Sequence, residues 1–233
     1  VSPLNKSRSS RNPLLCYVTD RHSLPGVAPE ASLAALAQKI DEAALAGVDW
    51  IQIREKDLPA RELAALARQA LRSAAYASLV AGRSARILVN DRLDVALAEH
   101  ADGVHLGEHS VPLQEAKRLA LRTAPPASKA HDFLLGVSCH SLEAAQKAQA
   151  AGAHYIFFGP IFATPSKAAF GAPQGLERLE QVCRAVAIPV IAIGGVTLEN
   201  AVSCISAGAS GIAAIRLFQE ARDIPQLISR LVP

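Results

Sequence analysis

The stretch PVIAIGGV, Pro189 to Val196, decides how the rest of the chain is read. Five apolar residues in succession suit a strand buried on both faces, as strands of a parallel sheet between helices are. The Gly194-Gly195 pair that ends the run removes Cβ atoms, so bare backbone N–H groups can approach a ligand. Thr197 stands where it would cap the next helix. A buried strand, two glycines and a helix N-terminus together make a place for an anion, phosphate first of all. A tight strand-to-helix turn without a ligand is the competing reading, and this stretch alone leaves it open.

Outward from that stretch, one pattern recurs. An alanine-rich amphipathic helix ends in Ala-Gly or Asp-Gly and a short apolar strand follows at once. It occurs at Ala46-Gly47 before Trp50–Ile53, at Asp102-Gly103 before Val104–Leu106, at Ala151-Gly152 before Tyr155–Phe158, and at Ala207-Gly208 before Gly211–Ile215. Glycine just past a helix end accounts for each stop. The glycines lie roughly fifty residues apart, room for about two strand-helix units each, so four blocks give eight strands. The other strands are expected at Leu14–Thr19, Ile87–Asn90, Leu134–Ser138 and Pro189–Ile193. Helices are expected at Ser32–Ala46, Ala60–Ala75, Arg92–Glu99, Pro112–Leu121, Ser141–Ala150, Gly175–Ala185, Thr197–Ser206 and Pro225–Leu231, the first with Leu33, Leu36, Ile40 and Leu45 near one face. Eight alternations without a break in composition predict an α/β chain folded as a single-domain (β/α)8 (TIM) barrel over 14–233.

Composition agrees. Of 233 residues 50% are apolar and only 4% aromatic, which suits helices packed on a sheet better than an aromatic-rich sandwich. A net charge of +3 without a long basic run outside the N-terminal stretch argues against a nucleic-acid partner. Cys16, Cys139, Cys183 and Cys204 show no CxxC spacing and read as reduced core thiols, which points to the cytoplasm. No apolar run is long enough for a membrane span, and the first residues lack the apolar segment of a signal peptide. Residues 1–13, VSPLNKSRSSRNP, read as a flexible basic tail. The oligomeric state is not legible, and a homo-oligomer stays open.

In such a barrel, catalytic groups stand at the C-terminal ends of the strands. The second strand ends in Gln52-Ile53-Arg54-Glu55-Lys56, where alternation places Gln52, Arg54 and Lys56 on one side. Three donors, two of them cationic, fit a diphosphate; outward ion pairs with Glu55 and Asp57 are the alternative. At the end of the third strand, Asn90 can donate to a phosphate oxygen, while Asp91 can cap the next helix or hold Mg2+. The fourth strand runs into His105-Leu106-Gly107-Glu108-His109-Ser110, and the fifth ends in Ser138-Cys139-His140. A Ser or Cys nucleophile beside His140 ranks lower, because no third orienting group is evident. The sixth strand leads into a long loop, Gly159 to Gly171, where Thr164, Ser166 and Lys167 suggest a second phosphate contact and a cover. The eighth ends near Ile215-Arg216, and the loops after strands seven and eight often build phosphate cups.

With those residues in view, the chain resembles the thiamine phosphate synthase and thiazole tautomerase superfamily from Leu14 to Leu217. The likeness rests on QIREK at 52–56, VNDRLDVAL at 89–97, DGVHLG at 102–107, GVSCH at 136–140, FGPIFATPSK at 158–167, APQGL at 172–176 and PVIAIGG at 189–195. It is closest to the synthases, which join hydroxymethylpyrimidine diphosphate to a thiazole phosphate with loss of pyrophosphate. The resemblance implies that Gln52, Arg54, Lys56, Asn90 and Lys167 hold the diphosphate, Asp91 binds Mg2+, and Ser138 contacts the pyrimidine. It implies that Thr164, Ser166, Gly195 and the backbone at Ile215 and Arg216 hold the thiazole phosphate. Arg54, Lys167, Ser138 and His140 are then the candidate catalytic residues.

Three positions depart from the synthase pattern. After His-Leu-Gly that pattern reads Gln-x-Asp, with the Asp a second metal ligand, whereas this chain has Glu108-His109-Ser110, so Glu108 is the candidate second ligand. Ser166 stands for a threonine, and Arg216 for a small residue. A tautomerase, in which His140 shifts a proton on the thiazole phosphate without a metal, is the first alternative; a non-catalytic phosphate-binding regulator is the second. The retained Gln-x-Arg-x-Lys and Asn-Asp pairs favour the synthase, since a tautomerase has no diphosphate to hold.

Overall fold

Short runs of β-branched and aromatic residues, each ended by a polar residue or glycine, become eight strands: β1 (Leu14–Val18), β2 (Trp50–Ile53), β3 (Arg86–Asn90), β4 (Gly103–Leu106), β5 (Leu134–Cys139), β6 (Tyr155–Phe158), β7 (Val190–Ile193) and β8 (Gly211–Ala214). Between and after them run α1 (Ser32–Ala46), α2 (Ala60–Ala81), α3 (Leu93–Ala98), α4 (Leu113–Thr123), α5 (Leu142–Ala150), α6 (Gly175–Ala185), α7 (Ala201–Ser206), α8 (Arg216–Gln219) and α9 (Ile224–Leu231). The computed structural model describes residues 12–123, 133–164 and 172–232. The expected tail up to residue 11 lies outside the described residues, as do Ser166 and Lys167. The strands bond in sequence order, β1 through β8, and the order closes on itself, as the eightfold alternation predicts. Neighbours are parallel, with Ile51 opposite Ile87 and Gly136 opposite Tyr155. Among the described residues, no helix is long and apolar enough to cross a membrane.

By packing, the chain forms two compact units, one from Leu15–Val104 and the chain from Ile215 onward, the other from His105–Ala214 with Leu14. In the first, β2 is buried at all four positions and Tyr17 packs on Phe218 with ring centroids 5.5 Å apart. Helix α1 buries Leu36, Ile40, Ala43 and Ala44. Leu45, expected on that stripe, is 43% exposed, because five residues from Ile40 carry it about 140° round the helix. In the second unit, β6 is buried throughout and α6 covers the core with Leu179, Val182 and Cys183.

The two-unit period of the sequence has a hydrogen-bonding counterpart. Before three of the four even strands the preceding residue bonds the second N–H of the odd strand before it: Asp49 Oδ2 accepts from Leu15 N–H at 2.8 Å, Asp102 Oδ2 from Ile87 N–H at 2.8 Å, and His154 Nδ1 from Leu135 N–H at 2.9 Å. Each of these side chains satisfies a donor at the start of a buried strand that would otherwise be costly to leave unpaired.

Some boundaries differ from expectation. Gly47, Gly152 and Gly208 take positive φ after α1, α5 and α7 as predicted, but Gly103 lies inside β4, and His100 (φ 55°) makes the turn after α3. Helix α2 runs six residues further than expected, α8 was not foreseen, and α7 starts at Ala201, not Thr197. The last shift has a local cause. Asn200 Oδ1 accepts from Thr197 N–H at 2.8 Å while its Nδ2 donates to Gly195 O at 3.0 Å, holding 197–200 in a turn, and Asn200 rather than Thr197 precedes the helix.

Candidate active site

In the first unit the end of β2 is organised by a residue outside it. Thr19, buried at the end of β1, donates from Oγ1 to Glu55 Oε1 at 2.7 Å and accepts from Arg54 N–H at 2.9 Å. Arg21 donates from its backbone N–H and its guanidinium to Glu55, at 3.1 Å for each contact with Oε2. The same guanidinium grips both oxygens of Asp57 at 2.7 and 2.6 Å, with His22 as a further partner at 3.1 Å. Arg21 holds the Asp57 carboxyl below its usual range. Both carboxylates offered as partners for Arg54 and Lys56 are therefore engaged by Arg21. Neither Arg54 nor Lys56 makes an ion pair with a described residue, which removes the support for outward salt bridging. Arg54 is half-buried and Lys56 exposed.

Gln52 and Asn90 are joined directly. Gln52 is 2% exposed and its Nε2 donates to Asn90 Oδ1 at 3.0 Å. That bond leaves Asn90 with its amide N–H groups to offer, as expected, and takes one of the two N–H groups of Gln52. Gln52 Oε1 is buried without a partner among the described residues, so Gln52 has an acceptor to offer as well as its second N–H. Asp91 follows with φ 66°, a left-handed conformation that Asp tolerates better than most residues. It does not cap α3: the residue before that helix is Arg92, and no side chain caps there. Ile215 precedes α8, and Arg216, its first residue, is exposed with no ion-pair partner among the described residues.

In the second unit Ser138 is half-buried near the end of β5, and its partner is a histidine that the sequence did not single out. His105, on β4 and 1% exposed, faces Ser138 Oγ with Nε2 at 2.9 Å and the Tyr155 hydroxyl with Nδ1 at 3.1 Å. Its ring lies on Phe157 with centroids 4.2 Å apart. Burial pushes the His105 pKa down to about 3, so the imidazole is neutral. Gly136 makes the arrangement possible, since a Cβ there would run into the Tyr155 ring. Ser, His and a third group are thus present, yet burial opposes formation of an imidazolium at His105 and a phenol lacks the negative charge that would steady one, so His105 is too weak a base to activate a nucleophile. Cys139 is no better a nucleophile, since burial raises its thiol to about 12. His140, exposed after β5, bonds through Nδ1 to Gly159 O; the carbonyl only accepts, so Nδ1 carries a proton.

The glycine pair after β7 has a reason beyond ligand approach. Gly194 and Gly195 have φ 94° and 67°, and the loop after β6 lies directly over them. A Cβ on Gly195 would meet Ala163 O at 2.7 Å and Phe162 Cβ at 2.8 Å, while Phe162 N–H donates to Gly194 O at 3.0 Å. The N–H of Gly195 bonds no described residue, so it is available to a ligand. The helix-dipole part of that suggestion is corrected, because α7 starts six residues after the second glycine and spans only six residues. Thr164 is half-buried at the last described position of the loop.

For a divalent cation the available ligands are carboxylates. No group of three or more His, Cys, Asp and Glu side chains gathers among the described residues. A cation that travels with a diphosphate needs only one or two protein carboxylates beside the phosphate oxygens. Asp91, exposed at a strand end, and Glu108, exposed after β4, are oxygen donors of the hard kind Mg2+ prefers, so the donor chemistry fits. Ser110 is less suited, since its Oγ already accepts from Gly107 N–H at 2.7 Å.

Comparison with known proteins bears on this arrangement. The thiamine monophosphate synthase family profile matches residues 15–218. A putative thiamine-phosphate synthase of Geobacter sulfurreducens is 42% identical over 201 residues, 86% of this chain and 84% of that protein. A thiamine-phosphate synthase of a Roseiflexus species is 39% identical over 217 residues, 93% of this chain and 82% of that protein. The solved structure of thiamine phosphate pyrophosphorylase from Pyrococcus furiosus matches with a TM-score of 0.75 and 32% identity, covering 94% of this chain and 93% of its own. A profile that spans most of the chain, with relatives this similar over most of their length, means that the chain belongs to the thiamine monophosphate synthase family.

Proposed function

We propose that the protein is a thiamine-phosphate synthase, joining 4-amino-2-methyl-5-hydroxymethylpyrimidine diphosphate to a thiazole phosphate with release of pyrophosphate. The observation that carries this reading is the division of charge after β2: Arg21 takes Glu55 and Asp57, and Arg54 and Lys56 keep their charge for a ligand. A tautomerase would have no use for that pair of cations.

The bond that breaks joins the pyrimidine methylene to the diphosphate oxygen, which leaves with the electron pair; the thiazole nitrogen then forms the new C–N bond with its own lone pair. An electron-rich aminopyrimidine stabilises the intervening methylene cation, and no protein nucleophile is required. Arg54, Lys56, the Asn90 amide and Lys167 hold the diphosphate, and the three cations neutralise it as it departs. Mg2+, held by Asp91 with Glu108 as a second carboxylate, would draw charge from the leaving oxygens. Gln52 Oε1, an acceptor, suits the amino group of the pyrimidine better than a phosphate oxygen. Ser138 contacts the pyrimidine ring, and Gly195 N–H with Thr164, Ser166 and the backbone at Ile215 and Arg216 holds the thiazole phosphate. His140, in its neutral form, offers Nε2 as a proton acceptor beside the thiazole.

The test is a two-substrate assay with and without Mg2+. Thiamine phosphate and pyrophosphate formed in equal amounts, dependent on Mg2+, is the expected result. Interconversion of thiazole phosphate tautomers without coupling would select the tautomerase instead, and tight binding without turnover the regulator.

A further inference from the structure

Arg21 belongs to a turn that closes largely on itself. Asp20 O accepts from Ser23 N–H at 3.0 Å, and the Asp20 carboxylate accepts from His22 N–H at 3.2 Å and Ser23 Oγ at 2.8 Å. These local bonds shape residues 20–23 without fixing where the turn stands. Glu55 and Asp57 hold it through Arg21 and His22. From α8, in the same compact unit, Gln219 Nε2 also donates to Asp20 O, at 2.7 Å, although 199 residues separate the two. A carbonyl oxygen only accepts, so the nitrogen end of the amide faces Asp20. Gln219 is 2% exposed and follows Phe218, which is buried and packs on the Tyr17 ring. Its backbone N–H bonds Ile215 O at 3.1 Å, and Lys39 Nζ holds Ala221 O at 2.9 Å just past the helix. The Tyr17 hydroxyl lies beside the Gln219 amide without closing a hydrogen bond to it. We propose that Gln219 is a positioning residue for Arg21: from α8 it fixes Asp20 O, and so sets the next residue where its backbone N–H and guanidinium meet Glu55 and Asp57.

An anchor outside the turn is needed because the carboxylates alone hold Arg21 weakly on one side. Asp57 is 55% exposed, exposed ion pairs contribute little, and Lys56 stands next to it as a competing cation. Arg21 prevails where its backbone is already placed, since a planar fork on a fixed backbone loses less freedom on closing a bidentate contact than an exposed lysine stem does. Gln219 can supply that placement because a buried side chain among packed neighbours keeps one rotamer. For its effect on a ligand the inference rests on the synthase reading, in which Arg54 and Lys56 meet a diphosphate; the setting of Arg21 by Gln219 does not depend on it.

The test reads the turn first and the ligand second, in the full-length protein. Gln219→Met keeps the length of the side chain and removes the donor. In 15N-labelled protein the Arg21 N–H, which donates to Glu55, should exchange with solvent about fivefold faster in this variant, the scale of one hydrogen bond. Unchanged protection would overturn the proposal. Phe218→Leu is the control for a merely structural role: it loosens the packing on Tyr17 and lowers Tm, with Arg21 exchange staying close to the parent. If it frees Arg21 as much as Gln219→Met does at a similar Tm, helix packing rather than the amide sets the turn, and the proposal falls. Calorimetric titration with pyrophosphate at low salt should show a weaker affinity in Gln219→Met, by no more than Arg21→Met loses. The double variant should be no weaker than Arg21→Met alone; losses that add would overturn the proposal, since Gln219 would then act by another route. Should Gln219→Met not fold, Arg21→Met decides: the coupling is reciprocal, so the Gln219 side-chain N–H should exchange faster than in the parent, and unchanged exchange would overturn the proposal. Faster Arg21 exchange in Gln219→Met, with pyrophosphate affinity unchanged both there and in Arg21→Met, would leave the positioning of Arg21 standing and sink the reading of the β2 cations alone.

Discussion

Replacing Arg21 with Met keeps an apolar stem of similar length and removes the charge that Glu55 and Asp57 share. Two consequences follow, and they are separable. The Glu55 side chain is 1% exposed, and stripping one partner from a buried ion pair commonly costs about 3–5 kcal/mol. Here Glu55 keeps Thr19 Oγ1 at 2.7 Å and the backbone N–H of residue 21, so the cost should fall to about 2–3 kcal/mol, at or below the bottom of that range. For a chain of this size that is a drop in Tm of about 4–12 °C. Asp57, 55% exposed, contributes little to this stability loss but much to the second consequence. Released from Arg21, Asp57 becomes free to pair with Lys56. An exposed pair is worth about 0.2–1 kcal/mol, so affinity for pyrophosphate should weaken by about 1.4- to 5-fold, more at low salt than at high salt. Calorimetric titration with pyrophosphate, run beside urea or thermal unfolding, reads both. Adding Asp57→Asn to Arg21→Met should restore part of the affinity without restoring the stability. Unchanged pyrophosphate affinity in the folded Arg21→Met protein would refute the claim that Arg21 keeps the β2 cations available.

Asp91→Asn should leave Tm nearly unchanged, because Asn tolerates the left-handed backbone as well as Asp does, yet synthesis should fall by at least about a hundredfold; undiminished turnover would remove Asp91 from the metal site. Gly195→Ala combines a positive φ with contact against Ala163 O and Phe162, and should cost about 2–4 kcal/mol in urea unfolding with a raised KM for the thiazole phosphate. His105 has its folded pKa depressed to about 3 from 6.5, so below 6.5 the unfolded chain binds a proton that the folded chain does not. Its stabilising contribution is therefore complete above pH 6.5 and is lost as pH falls towards 3, about 2 kcal/mol of it between pH 7 and 5. Unfolding at those two pH values in the parent and in His105→Gln should show the smaller pH dependence in the variant. Lys167→Ala should lower kcat more than it raises KM if the lysine charge matters most as pyrophosphate departs; a change confined to KM would contradict that role.

The barrel was legible because period and punctuation agree. Apolar runs such as Tyr155–Phe158 and the Ala-Gly stops at 47, 152 and 208 are local signals, and local signals fix element type. What could not be read locally is which of several polar groups pairs with which. Glu55 and Asp57 lie beside Arg54 and Lys56 in sequence, and sequence proximity made them the natural partners; their actual partner, Arg21, is more than thirty residues away. A signal was present, since Thr19-Asp20-Arg21-His22 follows β1 just as the other polar clusters follow their strands, and the strand-end rule applies to β1 as well. Gln52 carries donor and acceptor ends alike, and the direct bond to Asn90, which fixes how its amide is turned, joins two strands that sequence does not show as neighbours. His105 stood in the middle of a strand among apolar residues, where a histidine carries no outward sign of use. Its partners come from two other strands, one of them cleared by Gly136. The helix that starts at Ala201 was misplaced because Thr197 is as good a capping residue as Asn200; the bond from Asn200 to Gly195 O chooses between them.

The polar groups of the two units are tuned in opposite senses, and the proposed chemistry explains why. At the ends of β2 and β3 the protein keeps formal charge: two cations without ion-pair partners among the described residues, beside an amide turned to donate. A leaving diphosphate calls for that charge. Around Ser138 the protein instead keeps groups neutral, with an imidazole that burial holds uncharged, a phenol and an aromatic ring. A pyrimidine methylene that becomes cationic would be opposed by an imidazolium against its ring, by several kcal/mol at the short distances and low dielectric of a buried site. If the pyrimidine lies beside Ser138 as proposed, the neutral form in which burial holds His105 is the one compatible with that cation.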